Sequence, residues 1–383
     1  MSRLFNKMDK VLLILTIIMF VFGLFMILDA SNMKSFLEYG TNTKYFNKQL
    51  IILIISFFAS LIILKIPTKK YKRIVIPVTL VLLFFLLYLL FFGKETSGAK
   101  SWVYIGTFGL QPSEFAKLGI ILLMSSFYKA NLRTLDSWKT ILTPIVIGVI
   151  YFALVFLQPD GGTSVIIFLI TAMLFYASPV KKDKKLKLTL HGAAFVVIMA
   201  LLLIIFKGSI FSSMQKSRFN FLEPCTRYQD PTGYQVCNGF IAINNGKLIS
   251  ISPGNSQQKY LYLPEAFTDF IFPIIVEEFG LITGIAIVLM LMVMIYRILV
   301  LAKKSVSVQN AMICYGVACY IFLHTIINLV GVLGLMPLTG VPLPFFSYGG
   351  SFALTLAISL AIVQRISIEN YNYMQKKVLE NQN

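Results

Sequence analysis

The chain has 383 residues, of which 57% are hydrophobic and only 13% charged, with a mean hydropathy of +0.79 and a formal net charge of +18. Soluble proteins carry roughly 25% charged residues, so half that share excludes a soluble fold and points to a polytopic membrane protein. The positive charge does not imply nucleic-acid binding, because the lysines and arginines sit in short loops between apolar runs and form no basic face.

The first apolar run, VLLILTIIMFVFGLFMIL after MSRLFNKMDK, is too long for a signal-peptide core and no A-x-A-like cleavage site follows it. It reads as a membrane helix near 11–30. Further runs of spanning length fall near 48–66, 74–93, 112–129, 140–158, 162–180, 190–206, 270–297, 309–332 and 346–366, which makes ten predicted helices. With the N-terminus in the cytoplasm, 22 of the 34 lysines and arginines fall on the cytoplasmic side, eleven outside, and Lys117 within a helix. The even count returns the C-terminus to the cytoplasm. Acids run the other way, with only Asp9, Asp136, Asp183, Glu369 and Glu380 on the cytoplasmic side. The expectation is an all-α polytopic protein, one integral membrane domain over 1–383.

One large extracytoplasmic loop is predicted between helices 7 and 8, at about 207–268. Its segment NFLEPCTRYQDPTGYQVCNGFIAINNGKL is too rich in aromatic and aliphatic residues for a disordered tract, and predicts an ordered lid, partly helical over 235–244. Cys225 and Cys237 lie there, where a disulfide can persist, and both paired and free states stay open. Cys314 and Cys319 fall inside a helix and read as small packing residues.

Phosphate-binding-loop, HExxH, CxxC and GxSxG patterns are absent, and the two histidines, His191 and His324, lie far apart on helices. Four segments carry the remaining chemistry. In GAKSWVYIGTFGLQPSEFAKLGI, Pro112 suits a first helical turn, and Glu114 and Lys117 sit three apart on one face, able to pair. Such a pair in a spanning helix either faces a cavity or locks two helices. Trp102, just outside, is an interfacial belt residue or a platform for lipid or sugar. In LQPDGGTS the turn residues place Asp160 on the outer side, as a functional carboxylate or a cap of the sixth helix. In LPEAFTDFIFPIIVEEFG the helix arithmetic puts Glu277 and Glu278 at the membrane boundary and Asp269 about 12 Å above them, ahead of a kink at Pro273. Thr268 or Asp269 could instead simply cap the helix. Three prolines and four glycines in GLMPLTGVPLPFFSYGGS, which includes Ser347, make irregular backbone at membrane depth, as found lining a cavity or in an ordinary tight loop.

Taken together, GAKSWVYIG, LQPSEFAKL, QPDGGTS, GFIAINNG, GNSQQK, LPEAFTDFIF, EEFG and PLTGVPLPFFSYGGS resemble, in order, the signature blocks of the SEDS family of shape, elongation, division and sporulation proteins (FtsW, RodA and the sporulation homologue). The blocks extend from 98 to 351, and the ten-helix pattern is similar over the whole chain. Three positions depart from the family pattern. Phe267 stands where many members have His, LISISP precedes GNSQQK where many have glycines, and Phe352 replaces a second Ser. The carboxylates are intact.

The resemblance implies a peptidoglycan glycosyltransferase of the bacterial cytoplasmic membrane that polymerises lipid II at the outer face. A class B penicillin-binding protein is implied as its transpeptidase partner, among other divisome or elongasome membrane proteins. It further implies Asp269 as catalytic residue and Trp102, Glu114, Lys117 and Asp160 as functional positions. Turning an α-linked diphosphate into a β-1,4 bond inverts the anomeric carbon, which needs a base for the acceptor hydroxyl and charge for the departing diphosphate. Asp269 is the expected base, and Lys117, oriented by Glu114, the expected cation near a phosphate. Arg218, Arg227 and Lys259 are lesser phosphate candidates, and Glu277 and Glu278 could shape the cavity, pair with Lys117 or hold a divalent cation. A lipid II flippase is the alternative, since broken helices and intramembrane charges suit transport too. The wording HTIINLVGVLGLMPLTGVPLPF leans toward the FtsW-like division branch.

Overall fold

The computed structural model describes residues 2–96, 99–106, 108–192, 221–250 and 253–381. Helix α1 spans Lys10–Tyr39; Asp9 caps it, its Oδ1 accepting from Leu12 N at 2.9 Å. Helices α2 (Lys44–Lys65), α3 (Tyr71–Phe92), α4 (Pro112–Ala130), α5 (Trp138–Phe156) and α6 (Gly161–Ala177) follow. A helix α7 begins at 182; the predicted seventh span lies outside the described residues beyond 192. After it come α8 (Pro231–Gly246), α9 (Ile271–Phe279), α10 (Leu281–Lys304), α11 (Val308–Val332) and α12 (Gly350–Glu380).

Among the described residues, seven helices are long and apolar enough to cross a membrane: α1, α2, α3 with the turn before it, α5, α10, α11 and α12. The expected fourth span is present as α4, whose charges lower its apolarity, and the expected sixth as the shorter apolar α6. Helices α1 to α3 turn rows of large apolar side chains outward, such as Ile14, Val21, Phe57, Phe58, Phe84 and Phe91, as a lipid-facing surface must. Helices α4, α11 and α12 are buried along most of their length and form the centre, with α12 packed on α2 and α11 on α10, α4 and α6.

Polar clamps close the end of the bundle that carries both termini. Asp9 Oδ2 pairs with Arg297 at 2.6 Å, and Gln364 Nε2 donates to the Asp9 carbonyl. Glu369 accepts from Thr68 N at 2.9 Å, Thr68 Oγ1 at 2.6 Å and Asn310 Nδ2 at 3.1 Å, and pairs with Arg365.

The opposite end carries the loops, and three features there differ from expectation. A small antiparallel sheet, β1 (Lys94–Thr96), β2 (Ala99–Ile105) and β3 (Phe108–Leu110), in the order β1-β2-β3, sits between α3 and α4 in a chain expected to be all-helical. The helix expected over 270–297 breaks at Gly280 rather than kinking at Pro273. Pro273 lies in the first turn of α9, where no helical N–H is required of it. Gly280 has φ 83°, and a Cβ there would lie 2.6 Å from the Leu248 carbonyl oxygen. The height arithmetic for Asp269 therefore fails, because Asp269 precedes α9 in a turn.

The ordered lid is present over 221–250. Helix α8 includes the predicted 235–244, and Cys225 and Cys237 form a disulfide that fastens it to the turn Pro224–Arg227. The end of α8 approaches α9 so closely that a Cβ at Gly246 would lie 2.0 Å from the Val276 carbonyl oxygen. Cys314 and Cys319 are buried packing residues, as expected.

Candidate active site

Three short segments converge at the loop end of the bundle. The first is the opening turn of α4, where Pro112 sits at N1 and the amide of the N-cap residue 111 has no intrahelical partner. Gln111 N donates to Ser351 Oγ at 2.8 Å, and Gln111 Nε2 to Asp160 Oδ2 at 3.0 Å. One turn on, Lys117 Nζ lies 2.7 Å from Glu114 Oε1, with the two side chains 0% and 2% exposed. Burying a charge costs several kcal/mol unless it is paired and hydrogen-bonded, and this pair has a third member. His324 Nε2 lies 2.9 Å from Lys117 Nζ, and His324 Nδ1 lies 3.2 Å from the Pro342 carbonyl oxygen.

The second segment is the turn before α6. Asp160 Oδ1 accepts from Thr163 N at 3.2 Å, so the capping role holds, and Oδ2 holds Gln111 as well. A Cβ at Gly162 would lie 2.7 Å from the Thr339 carbonyl oxygen, which shows how tightly this turn meets the loop 333–349.

The third is the turn around Asp269. Neither Thr268 nor Asp269 caps α9, whose N-cap is Phe270 with no side-chain bond. Asn328 Nδ2 donates to the Asp269 carbonyl at 2.7 Å and to the Val341 carbonyl at 2.8 Å, fixing the turn to the loop. Thr268 Oγ1, with one proton to donate, lies 2.7 Å from Glu265 Oε2 and 3.1 Å from Asp269 Oδ1. The half-buried carboxylate borders a small cavity whose other walls include Asn328, Thr339 and Gly340. Ser347 lies in the same loop, where its Oγ accepts from Leu343 N at 2.8 Å and holds the turn.

The remaining expected residues are placed differently. Trp102 sits half-buried on β2, its ring against Gly109 of β3. Glu277 and Glu278 do not reach Lys117. Glu278 Oε1 pairs with Lys259 at 2.7 Å, and Lys259 also meets Asp29 Oδ1 at 2.7 Å and donates to the Gly254 carbonyl at 2.9 Å. Glu277 accepts from Asn245 Nδ2 at 2.9 Å, from Gln258 N at 3.2 Å and from Ser256 Oγ. This cluster clamps the loop 253–260 to α1, α8 and α9, so Lys259 is not an open phosphate ligand. Burial works against its charge, but the hydrogen bonds to Asp29 and Glu278 outweigh it and hold the ammonium above its ordinary range. Arg227 is held by Asp230 at 2.9 Å, and Arg218 lies outside the described residues. Among the described residues no three His, Cys, Asp or Glu side chains gather, so the carboxylates form no ready cage for a divalent cation.

Asp29, His324 and Asn328 were missed from sequence. The last two are four apart on α11, a spacing that places them on one face, but nothing local says what that face meets.

The family model FTSW_RODA_SPOVE, described as "Cell cycle protein", matches residues 9–372. A "Probable peptidoglycan glycosyltransferase FtsW" of Wigglesworthia glossinidia brevipalpis is 35% identical over 370 residues, covering 94% of this chain and 93% of that protein. The protein of the same name in Bacillus subtilis is 30% identical over 382 residues, covering 98% and 95%. "Stage V sporulation protein E" of B. subtilis is 29% identical over 369 residues, covering 94% and 96%. Among solved structures, one reported under "Structural coordination of polymerization and crosslinking by a peptidoglycan synthase complex" superposes with a TM-score of 0.76 at 21% identity, covering 95% of this chain and 98% of the other. The rod shape determining protein RodA of Thermus thermophilus superposes with a TM-score of 0.67 at 20% identity, with the same coverage. At these identities the superpositions speak for the fold.

Proposed function

This chain belongs to the FtsW, RodA and SpoVE family of cell cycle proteins, and on that premise we propose that it is a peptidoglycan glycosyltransferase that polymerises lipid II. The observation that carries the reading is the placement of Asp269. Asp269 is half-exposed, is held from its backbone by Asn328 beside a water-sized cavity, and lies at the loop end of the bundle rather than at mid-helix. A general base needs this combination of fixed geometry and access.

In the reaction, Asp269 takes the proton of the acceptor sugar hydroxyl. That oxygen then attacks the anomeric carbon of the donor, the bond from that carbon to the diphosphate oxygen breaks, and the polyprenyl diphosphate departs with the bonding electrons. Lys117 is sealed at 0% exposure, so it contributes to this step by fixing the first turn of α4 and the loop 333–349 around the cavity, not by touching a phosphate. Asp160 and Gln111 hold the neighbouring turn.

The basic loops support ten spans with both termini in the cytoplasm, the cytoplasmic membrane as location, and a site on the extracytoplasmic side. A class B penicillin-binding protein is the partner this reading requires for cross-linking. The FtsW names of relatives at 30–35% identity favour the division branch. The test is polymer formation from labelled lipid II by the purified protein with its transpeptidase, substrate being supplied only on the outer face of reconstituted vesicles. Wild type should form polymer and Asp269→Ala none. Transport without polymer would turn the reading to a flippase, and full activity in Asp269→Ala would remove the aspartate from its role.

A further inference from the structure

We infer that His324 is a positioning residue for this site: its imidazole accepts a hydrogen bond from the buried Lys117 ammonium and ties it to the loop 333–349, to which Asn328 fastens the Asp269 turn. The inference rests on the reading of the site as the glycosyl-transfer centre.

Chemistry sets the tautomer. A lysine ammonium has three donors and no acceptor, so at 2.9 Å the Nε2 of His324 must be the acceptor. The proton of the neutral ring is then on Nδ1, which donates to the Pro342 carbonyl at 3.2 Å. The ring is fully buried and held on both sides, with Tyr320 edge-on at 4.8 Å between centroids and Phe352 stacked at 4.6 Å. The Phe352 ring closes the wall over His324.

One helical turn along α11, Asn328 bonds the carbonyls of Asp269 and Val341. His324 and Asn328 thus grip adjacent carbonyls, Pro342 and Val341, from one face of one helix. Through these two side chains the Glu114–Lys117 pair and the Asp269 turn share a single support. Lys117 Nζ has Glu114 Oε1 and His324 Nε2 at hydrogen-bond distance and lies 5.8 Å over the Tyr320 ring, so loss of either hydrogen-bonding neighbour leaves the ammonium underserved.

The test uses the full chain with its transpeptidase. His324→Phe keeps a buried ring and removes the acceptor; His324→Gln keeps an acceptor. His324→Phe should lower the melting temperature by roughly 5 °C and kcat by about tenfold, with KM within about threefold, as expected for one buried donor left unpaired. His324→Gln should retain kcat within about threefold. In a Lys117→Met background, His324→Phe should cost no further melting temperature, because no ammonium remains to be served. Equal thermal loss in both backgrounds would make His324 a packing residue and overturn the inference, as would Phe and Gln variants that behave alike. Thermal coupling without any loss of rate, while Asp269→Ala is inactive, would overturn the positioning role and leave the polymerase reading standing. Where His324→Phe does not fold, His324→Met takes its place in both backgrounds.

Discussion

Two buried lysines hold this molecule together at its loop end, and they are served in opposite ways. Lys117 has one carboxylate three residues away and one imidazole from a distant helix, so its cluster carries no net charge. Lys259 has two carboxylates, Asp29 and Glu278, at 2.7 Å each. The first is a pair that cannot lose a member. The second has a member in reserve. The first lies within the helical scaffold, the second fastens a loop. Equal distances therefore conceal unequal sensitivity to substitution.

The largest expected break in this contrast is Glu114→Gln. It leaves the Lys117 ammonium buried with no anion, and should cost about 3–5 kcal/mol, read as unfolding free energy in detergent. Lys259→Met should cost less, about 2–3 kcal/mol, because two facing carboxylates can share a proton and relieve each other. Reduction of Cys225–Cys237 should cost about 2–3 kcal/mol by releasing a short closed loop. Its effect should be one-sided: amide exchange should rise over 253–263, which leans on α8 through Asn245 and Glu277, and stay unchanged over 112–118. Glu278→Gln is the smallest, at about 1 kcal/mol or less, since Lys259 and Asp29 remain one to one.

Alkaline titration sharpens the same contrast. The Lys259 pKa is raised above its ordinary 10.5 by Asp29 and Glu278 against the opposing pull of burial. A raised folded-state value means the stabilisation is complete below the unfolded pKa and is lost as pH climbs through the folded one. The melting temperature should fall across that window in wild type, and Lys259→Met should lack this limb.

How much of this was legible follows from where the partners lie in the chain. Glu114 and Lys117 are three apart, so helical periodicity alone showed that they could meet. Asp29 and Lys259 are 230 residues apart, and nothing near Asp29 marks it as more than one acid in an apolar helix. His324 read as isolated because its partner is 207 positions away. Proline was the visible helix breaker at 273, yet its place in a first turn made it harmless, while Gly280, unremarkable in the string, takes a backbone angle that opens the break. The lid helix and the spans announced themselves by composition. The small sheet of β1, β2 and β3 did not, because its strands are three to seven residues long and partly polar.

Helix α12 has a mechanical consequence. Its 31 residues make a rod about 46 Å long, without a proline or an internal glycine to bend it. Its upper tip is pinned beside the site, where Ser351 accepts from Gln111 N and Gly349 N donates to Gln49. Between its middle and its lower third, Gln364 and Glu369 act as a fulcrum against Asp9 and Thr68. Its last ten residues are exposed, held to the N-terminal segment where Asn372 Oδ1 accepts from Lys7 Nζ at 2.7 Å. A load applied to that exposed end would be a torque about the fulcrum, with its counter-motion arriving at Gln111, about one helical turn before Glu114 and two before Lys117.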